Sequence, residues 1–577
     1  MKSTFRTNLP WWIFAVITLV LAIWSSWRMI DLYAADELWG YLPLALCLGL
    51  YFFFSFTFFA LKGRDAQQKR LYLTASLAGL MMGLSFPPLP FLLLVIPAWM
   101  LVFHLSETHF KEVGQSLFAQ FRIYFHIFII WNIVSTYWIC NTALAAGFIA
   151  IVVNALLMAT VFIIYTILKK RIQTKYWFIL LASIWMSFEF LHFRWDIQWP
   201  WLTLGHYFME QIDYIQWYEW TGVYGGTLLI LLVSWVAYRN IEMWRAQGRL
   251  NKPSLFFLLA LIVLPAICSL LIKPAEESCS NEVKIGIIQP NYEPHYEKFE
   301  VSATKQMAQF IKLSRSIVDS SVDYLIFPET SFDVSLNSWN THFVPQTLNN
   351  FLNVHKQLTL IAGLDTYRVL ENGDKHDEFT RTHIRKNGDT VYWENHNSAV
   401  RMAAGMPMEI YYKSKLVPGA EYFPFKDLLF FLKPLMKKLG GTANGLRNQK
   451  ERETFLGKDE YRSAPIICYE SIFGEYVSGY VRNDADWFVI MTNDGWWDNT
   501  AGHIQHLNLA RLRAIEQRRD IARSANTGIS CLIKKDGSVE DMTQYGVADA
   551  IIVNVCPGKE ISFYNRYGDY IARLGIL

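Results

Sequence analysis

Three side chains able to run acyl transfer stand at the ends of β-rich runs. Glu329 follows Leu325-Ile326-Phe327-Pro328, Lys413 follows Glu409-Ile410-Tyr411-Tyr412, and Cys468 closes Ala464-Pro465-Ile466-Ile467. A thiol needs a base to become a thiolate, and the tetrahedral intermediate it forms needs a cation or N–H groups for its oxyanion. Glutamate, lysine and cysteine fill those roles without a histidine. Each has an ordinary explanation when taken alone: a helix cap, a solvated charge, a small buried hydrophobe. The coincidence of all three at strand ends is what points to chemistry. Other polar groups carry less. His503 and His506 sit at helical spacing, but no third ligand is placed beside them, so neither a metal nor another cofactor is expected. Glu189, near the outer end of an apolar segment, is expected to be solvated. Seven cysteines without a CxxC pair make neither a disulfide framework nor a zinc site. Cys47, Cys140, Cys268, Cys531 and Cys556 are expected to pack, and pairing stays open for Cys279.

Strand carboxyl ends gather active sites in α/β domains, and residues 280–562 have that organisation. Short β-rich runs at 283–288, 323–327, 358–362, 390–393, 464–468 and 487–492 alternate with amphipathic stretches such as 298–319 and 502–522. They predict a sheet covered by helices. The first half is a different material. The 577-residue chain is 53% hydrophobic and 18% charged, against roughly 25% charged in soluble domains, and the excess lies before about residue 272. Disorder, nucleic-acid binding and a small disulfide scaffold are excluded, and a net charge of +3 signals no strongly charged partner.

Nine apolar segments, about 10–29, 42–61, 71–85, 88–103, 117–139, 143–168, 176–192, 221–238 and 254–272, suit helices crossing a bilayer. The third and fourth are short and meet at Phe86-Pro87-Pro88-Leu89-Pro90, where proline forbids a continuous helix. They read as a hairpin of two helices, with one kinked span as the alternative. The first segment is long and Trp-rich and lacks a small-residue cleavage site, so it reads as an anchor. Lysine and arginine concentrate in the alternate loops 62–70, 104–116, 169–175 and 239–253, among them Arg64, Lys111 and Lys175. That bias puts these loops in the cytoplasm and the chain after residue 272 on the opposite side. Trp195, Trp199, Trp201, Trp217 and Trp220 fall in the outer loop 193–220, where they frame either a lipid entrance or an ordinary aromatic belt.

Phe327-Pro328-Glu329, the run from Tyr411 to Pro418, and Ile467-Cys468-Tyr469-Glu470 resemble the three signatures of the nitrilase (carbon–nitrogen hydrolase) superfamily. Within it the chain is similar to the apolipoprotein N-acyltransferases, the branch fused to a membrane bundle. Further matching pieces are Trp199-Pro200-Trp201-Leu202-Thr203-Leu204-Gly205, Thr221-Gly222-Val223-Tyr224-Gly225-Gly226, Asn493-Asp494-Gly495-Trp496-Trp497 and Gln505-His506-Leu507. The resemblance covers roughly residues 71–568. It implies a multi-spanning helical membrane bundle followed by an αββα catalytic domain. The expected division is an extra two-helix segment at 1–70, the bundle at 71–275, the catalytic domain at 276–565 and a short tail at 566–577.

The same resemblance implies Glu329 as base, Lys413 as oxyanion stabiliser and Cys468 as nucleophile. It implies supporting roles for Glu421, Tyr469 and Glu470, and looser site-lining ones for Asn397 and Trp496. It further implies a phospholipid acyl donor such as phosphatidylethanolamine, diacylglyceryl apolipoproteins as acceptors, and a bacterial inner membrane with the catalytic domain on the periplasmic side. The chain departs from the family pattern K-x-H-L-V-P-F-G-E, with Lys415 in place of the histidine and Gly419-Ala420-Glu421 in place of F-G-E. Register against Leu416-Val417-Pro418 favours Lys413 as the catalytic lysine. A membrane-anchored amidase with water as acceptor would share the triad. A transporter or lipid-binding protein is the rival without chemistry, and the few paired charges in the spans speak against it.

Overall fold

The computed structural model describes residues 2–62, 66–110, 116–173, 176–274, 279, 281–298, 300–428 and 445–576. Arg64, Lys111 and Lys175, three of the loop cations behind the expected orientation, lie outside the described residues.

Among the described residues, nine helices of ten residues or more fill the first half. They are α1 (Lys2–Ala34), α2 (Leu42–Lys62), α3 (Ala66–Ser85), α4 (Val95–His104), α5 (Leu117–Thr136), α6 (Leu144–Ile172), α7 (Trp177–His192), α8 (Val223–Gln247) and α9 (Lys252–Ile272). Stretches of α1, α2, α5, α6 and α9 are long and apolar enough to cross a bilayer. The proline run separates two helices, since α3 stops at Ser85 and α4 begins at Val95. Along α1 and α9, Ile17, Trp24, Phe256 and Leu271 are exposed, as expected of helices whose solvent is lipid. The buried seam is aromatic, with Trp99 and Trp185 edge to face at 5.0 Å. Helices α1 and α2 approach closely at Gly49, where a Cβ would stand 3.0 Å from the backbone of Thr18 and Ala22.

The second half packs two sheets face to face. The first runs β14 (Asp549–Val555), β1 (Val283–Gln289), β2 (Tyr324–Phe327), β4 (Thr359–Val369), β6 (Thr390–Ala403), β5 (Arg381–Ile384). In it, β3 (Asp333–Ser335) pairs with β4, and β7 (Glu409–Tyr412) pairs with β6. The second runs β13 (Val539–Glu540), β12 (Cys531–Ile533), β11 (Ile521–Ala525), β10 (Trp487–Thr492), β9 (Arg462–Ile467), β8 (Phe455–Leu456). The central strands β1, β2, β4 and β9, β10, β11 are parallel neighbours. Being covered on both faces, β10 is apolar from Trp487 to Met491 rather than alternating. Outside the first sheet lie α10 (Ala303–Ile317) against β1 and β14, and α11 (Phe343–Val354) against β6. On the second lie α12 (Gly474–Arg482) and α13 (Ala501–Gln517), the latter against β12. The sheets meet at contacts such as Tyr324 on Trp487, 5.0 Å between rings.

The two halves are joined broadly. Arg518 of the catalytic domain donates to the Gln216 side chain at 2.7 Å and pairs with Glu219 at 2.8 Å. The connection between α1 and α2 reaches the same domain, for Gly40 N–H donates to Asp498 Oδ2 at 2.7 Å. Asn141, just after α5, donates to the carbonyls of Gly40 and Trp497 at 3.1 and 3.2 Å. A seven-residue helix, Tyr570–Ile576, lies against α7.

Three sequence expectations change. Glu189 is buried rather than solvated: it accepts from Trp185 Nε1, the Leu204 N–H and the Thr227 hydroxyl at 2.8–2.9 Å. It ties the 200–208 loop to α8, and those donors satisfy a carboxyl group that water would otherwise have to reach. Trp201 and Trp217 are buried, so they belong to the packed interior and not to an entrance, whereas Trp220 stays exposed. Cys556, expected to pack, forms a disulfide with Cys279. The pairing joins the exit of the last long membrane helix to the end of β14, two points far apart in sequence that sheet closure brings together.

Candidate active site

Strand ends deliver the three chemical groups to one place. Glu329 lies two residues beyond β2, and its backbone rests against β4 at Gly363, where a Cβ would stand 2.6 Å from the Glu329 Cα. Lys413 follows β7 directly, and its N–H donates to the Asn397 carbonyl on β6 at 2.9 Å. From there the Lys413 Nζ reaches Glu329 Oε1 at 3.0 Å and Glu421 Oε1 at 2.8 Å. The Asn397 carboxamide bridges the same two oxygens, at 2.7 Å to Glu329 and 3.2 Å to Glu421. Glu421 is fixed in turn by the Val417 N–H at 2.8 Å. Glu329, Lys413, Glu421 and Asn397 thus form one cluster, with the lysine 1% exposed.

Cys468 follows β9 on a short turn, Cys468–Ile472, and takes φ +48°, the left-handed region. For a residue with a Cβ this costs about 1–3 kcal/mol and needs support from its surroundings. Its carbonyl is held by the Ser471 hydroxyl at 2.7 Å and lies 3.2 Å from His506 Nε2. Glu470 supplies the rest. One of its oxygens accepts from the Ile467 N–H at 2.8 Å, and the other accepts from the Tyr411 hydroxyl at 2.6 Å and the Ser414 N–H at 2.7 Å. Glu470 therefore clamps the strand end carrying Lys413 to the turn carrying Cys468.

The electrostatics favour a neutral thiol beside a charged lysine. Burial disfavours the Lys413 ammonium, but Glu329 and Glu421 outweigh it and hold its pKa well above the ordinary lysine value. Burial raises the Cys468 thiol well above its usual range, Glu329 adds to this, and Lys413 opposes it. A thiol so placed has to hand its proton to a base during attack.

The remaining candidates are distributed around this centre. The Tyr469 hydroxyl donates to the Gln198 carbonyl of the membrane half. Trp496 accepts from Thr142 through its carbonyl at 3.2 Å, and its ring meets His295 edge-on at 5.1 Å. Lys415 turns to other partners than Lys413, with its Nζ 5.1 Å from the Phe473 ring and 5.8 Å from that of Tyr476. Burial, with Arg194 second, lowers its pKa.

Sequence reasoning passed over a second cluster behind the thiol. Buried Asp494 is paired with Arg523 and with His506 Nδ1, the latter at 2.9 Å. The Thr492 hydroxyl bonds to Asp494 at 2.7 Å and also contacts the Cys468 side chain. Asp494 and His506 stood inside matched motifs, but Arg523 carried no signal of its own. Burial acts to raise the Asp494 pKa, and Arg523 and His506 overcome it, leaving the carboxyl well below the usual range. A pKa depressed in the folded state contributes stability that is complete above the unfolded value of about 3.9 and is lost as pH falls through the folded value. Asp494→Asn is therefore expected to lower the melting temperature at pH 7 and to flatten its decline below about pH 4. Thermal unfolding across that pH range checks this, and an unchanged acid dependence would remove Asp494 from the account.

Two family models match the chain: the apolipoprotein N-acyltransferase N-terminal domain over residues 78–236, and carbon-nitrogen hydrolase over residues 284–555. An apolipoprotein N-acyltransferase from Chlorobaculum tepidum is 25% identical over 86% of this chain and 92% of its own length. The relative of that name from Geobacter metallireducens is 25% identical over 88% and 94%. Among solved structures, an amidase from Nesterenkonia sp. is 12% identical, covering 52% of this chain and 100% of its own, with a TM-score of 0.34. Both family models occur in order on one chain, and relatives of the same name align along most of their length. On that footing the chain belongs to the apolipoprotein N-acyltransferase family, acyltransferases that carry a carbon–nitrogen hydrolase domain on a bundle of membrane helices.

Proposed function

We propose that Cys468 takes an acyl chain from the sn-1 ester of a membrane phospholipid, such as phosphatidylethanolamine, and passes it to the α-amine of a diacylglyceryl-cysteine at an apolipoprotein N-terminus. The observation that carries this is the Lys413 ammonium fixed between Glu329 and Glu421 next to the Cys468 turn. Glu329 accepts the thiol proton as sulfur attacks the ester carbonyl, and Lys413 faces the oxyanion that forms. Collapse expels the glyceryl oxygen, which takes the proton back from Glu329, and leaves a thioester on Cys468. The neutral acceptor amine then attacks the thioester, Glu329 receives its proton, and the thiolate departs and is reprotonated. This is a ping-pong cycle that draws on protein groups throughout.

Both substrates are lipids, which accounts for a catalytic domain tethered to membrane helices. A detached enzyme would have to extract each chain from the bilayer at about 0.8 kcal/mol per CH₂. The reading places the catalytic domain on the periplasmic face of a bacterial inner membrane. The loop cations support it, and so does the Cys279–Cys556 disulfide, since such bonds persist in oxidising compartments. A cysteine introduced at Lys559, an exposed site, is expected to react with an impermeant thiol reagent from outside the inner membrane, and one at Arg249 is not. Labelling in the opposite order would overturn the orientation.

The chemistry is tested by mass spectrometry after incubation with phosphatidylethanolamine in detergent. A fatty-acyl adduct should appear on Cys468 and transfer to an added diacylated lipopeptide. Loss of the adduct as free fatty acid, with no N-acylated peptide, would make water the acceptor and refute the proposal.

A further inference from the structure

The Gln505-His506 pair has a place in the fold that the acyl-transfer scheme leaves unused. Both residues lie in the first turns of α13 and are 1% exposed. Gln505 belongs to the catalytic domain, yet its carboxamide bonds to the membrane half. Its Oε1 accepts from the indole N–H of Trp138 at 3.0 Å and of Trp201 at 2.7 Å. Its Nε2 donates to the carbonyls of Pro87 at 2.7 Å and Ser135 at 3.1 Å. Two acceptor and two donor valences are all that a carboxamide has, and all four are spent on the turn between α3 and α4, the end of α5 and the two tryptophans. The next residue points at the chemistry. His506 Nε2 lies 3.2 Å from the Cys468 carbonyl oxygen and 3.0 Å from Ser471 Oγ, and its Nδ1 is anchored on Asp494. Its ring also stacks on Trp201 at 6.2 Å, the tryptophan that grips Gln505.

We infer that Gln505 and His506 form a positioning relay, through which the membrane bundle sets the backbone of Cys468. The left-handed φ of Cys468 is not one that a residue with a Cβ adopts unaided. Of the two side chains at its carbonyl, Ser471 and His506, the second depends on where α13 sits, and Gln505 fixes α13 to the bundle. Neither residue touches the reacting atoms. The relay makes the nucleophile competent when the two halves are docked, and it couples the tilt of α3, α4 and α5 to the thiol. It rests on the reading of Cys468 as the nucleophile.

Two acyl donors separate the possibilities: phosphatidylethanolamine in detergent micelles, and p-nitrophenyl butyrate, a soluble ester that needs no lipid site. Failure of the unmodified protein to form an adduct with either would sink the nucleophile assignment, and the relay with it. Given adducts on the unmodified protein, Gln505→Ala and His506→Ala are expected to slow Cys468 acylation by both donors to the same extent. Misplacement of a reacting group by about an ångström costs up to roughly a hundredfold. In turnover, kcat should fall while KM for the phospholipid holds. His506→Gln, whose carboxamide can place an N–H toward the Cys468 carbonyl, should recover most of the rate. Trp138→Phe removes one of four bonds to Gln505 and serves as the milder variant if Gln505→Ala does not fold; it should slow both donors in parallel but less. Slowing with phospholipid alone, or full rates with both donors, would overturn the relay.

Discussion

Cys468→Ala is expected to abolish acyl transfer while the protein still folds and inserts. The substitution removes one sulfur from a side chain that is 9% exposed. It leaves the Cβ in place, so the cost of φ +48° is unchanged, and it leaves the bonds from Ser471 and Glu470 that shape the turn. What is lost is the atom that carries the acyl chain in the proposed cycle, and a ping-pong cycle has no route around it. The four other unpaired cysteines among the described residues, Cys47, Cys140, Cys268 and Cys531, lie in or beside the bundle or inside a strand. None of them shares Lys413 and Glu329. N-acylation of a diacylated lipopeptide, followed by a gel shift or mass, reads the result. Normal product from Cys468→Ala would end the mechanism.

The second large effect separates two lysines two positions apart, Lys413 and Lys415. Lys413→Met should leave little acyl-enzyme, because its ammonium is the cation held between Glu329 and Glu421. Loss of one oxyanion donor costs about 10²–10³ in rate, and here the two carboxylates would also be left facing each other without their counter-charge. Lys415→Met should keep most of the adduct. Strand β7 ends at Tyr412, so the two-residue alternation that puts i and i+2 on one face no longer applies at Lys415. Its ammonium lies over Phe473 and Tyr476 instead. Single-turnover adduct formation with phosphatidylethanolamine distinguishes them. A dead Lys415→Met beside an active Lys413→Met would require the oxyanion role to be reassigned.

How far the sequence reached is clearest at particular residues. The nine apolar segments foretold the nine helices, because apolar runs are written locally, but among the described residues only stretches of α1, α2, α5, α6 and α9 have the length and apolarity to cross a bilayer. The Pro87–Pro90 run located the break between α3 and α4 for the same kind of reason. Strand ends at Glu329, Lys413 and Cys468 were legible as short β-rich runs closed by a polar residue. Their meeting was legible only through the family resemblance, since it depends on β2, β7 and β9 lying in two different sheets. Asn397 shows the difference: its bridging of Glu329 and Glu421 follows from β4–β6 pairing, in which it stands opposite Asp365. Glu189 departs from its expectation because position near a helix end does not set exposure: a loop folds back over that end and brings its own donors. Cys279 and Cys556 lie 277 residues apart, and composition offers no way to pair them.

The bond between Gly40 and Asp498 also has a schedule. It joins residues 458 apart in sequence, and ribosomes add about 5–20 residues per second. At those speeds α1 and α2 are in the bilayer for roughly 20–90 s before Asp498 has been made. For that interval the Gly40 N–H lacks its acceptor, although Asn141, which donates to the Gly40 carbonyl, has long been made. The hairpin is thus an early-built dock for a late-arriving domain. Assembly of this protein brings a turn against a partner made 458 residues after it.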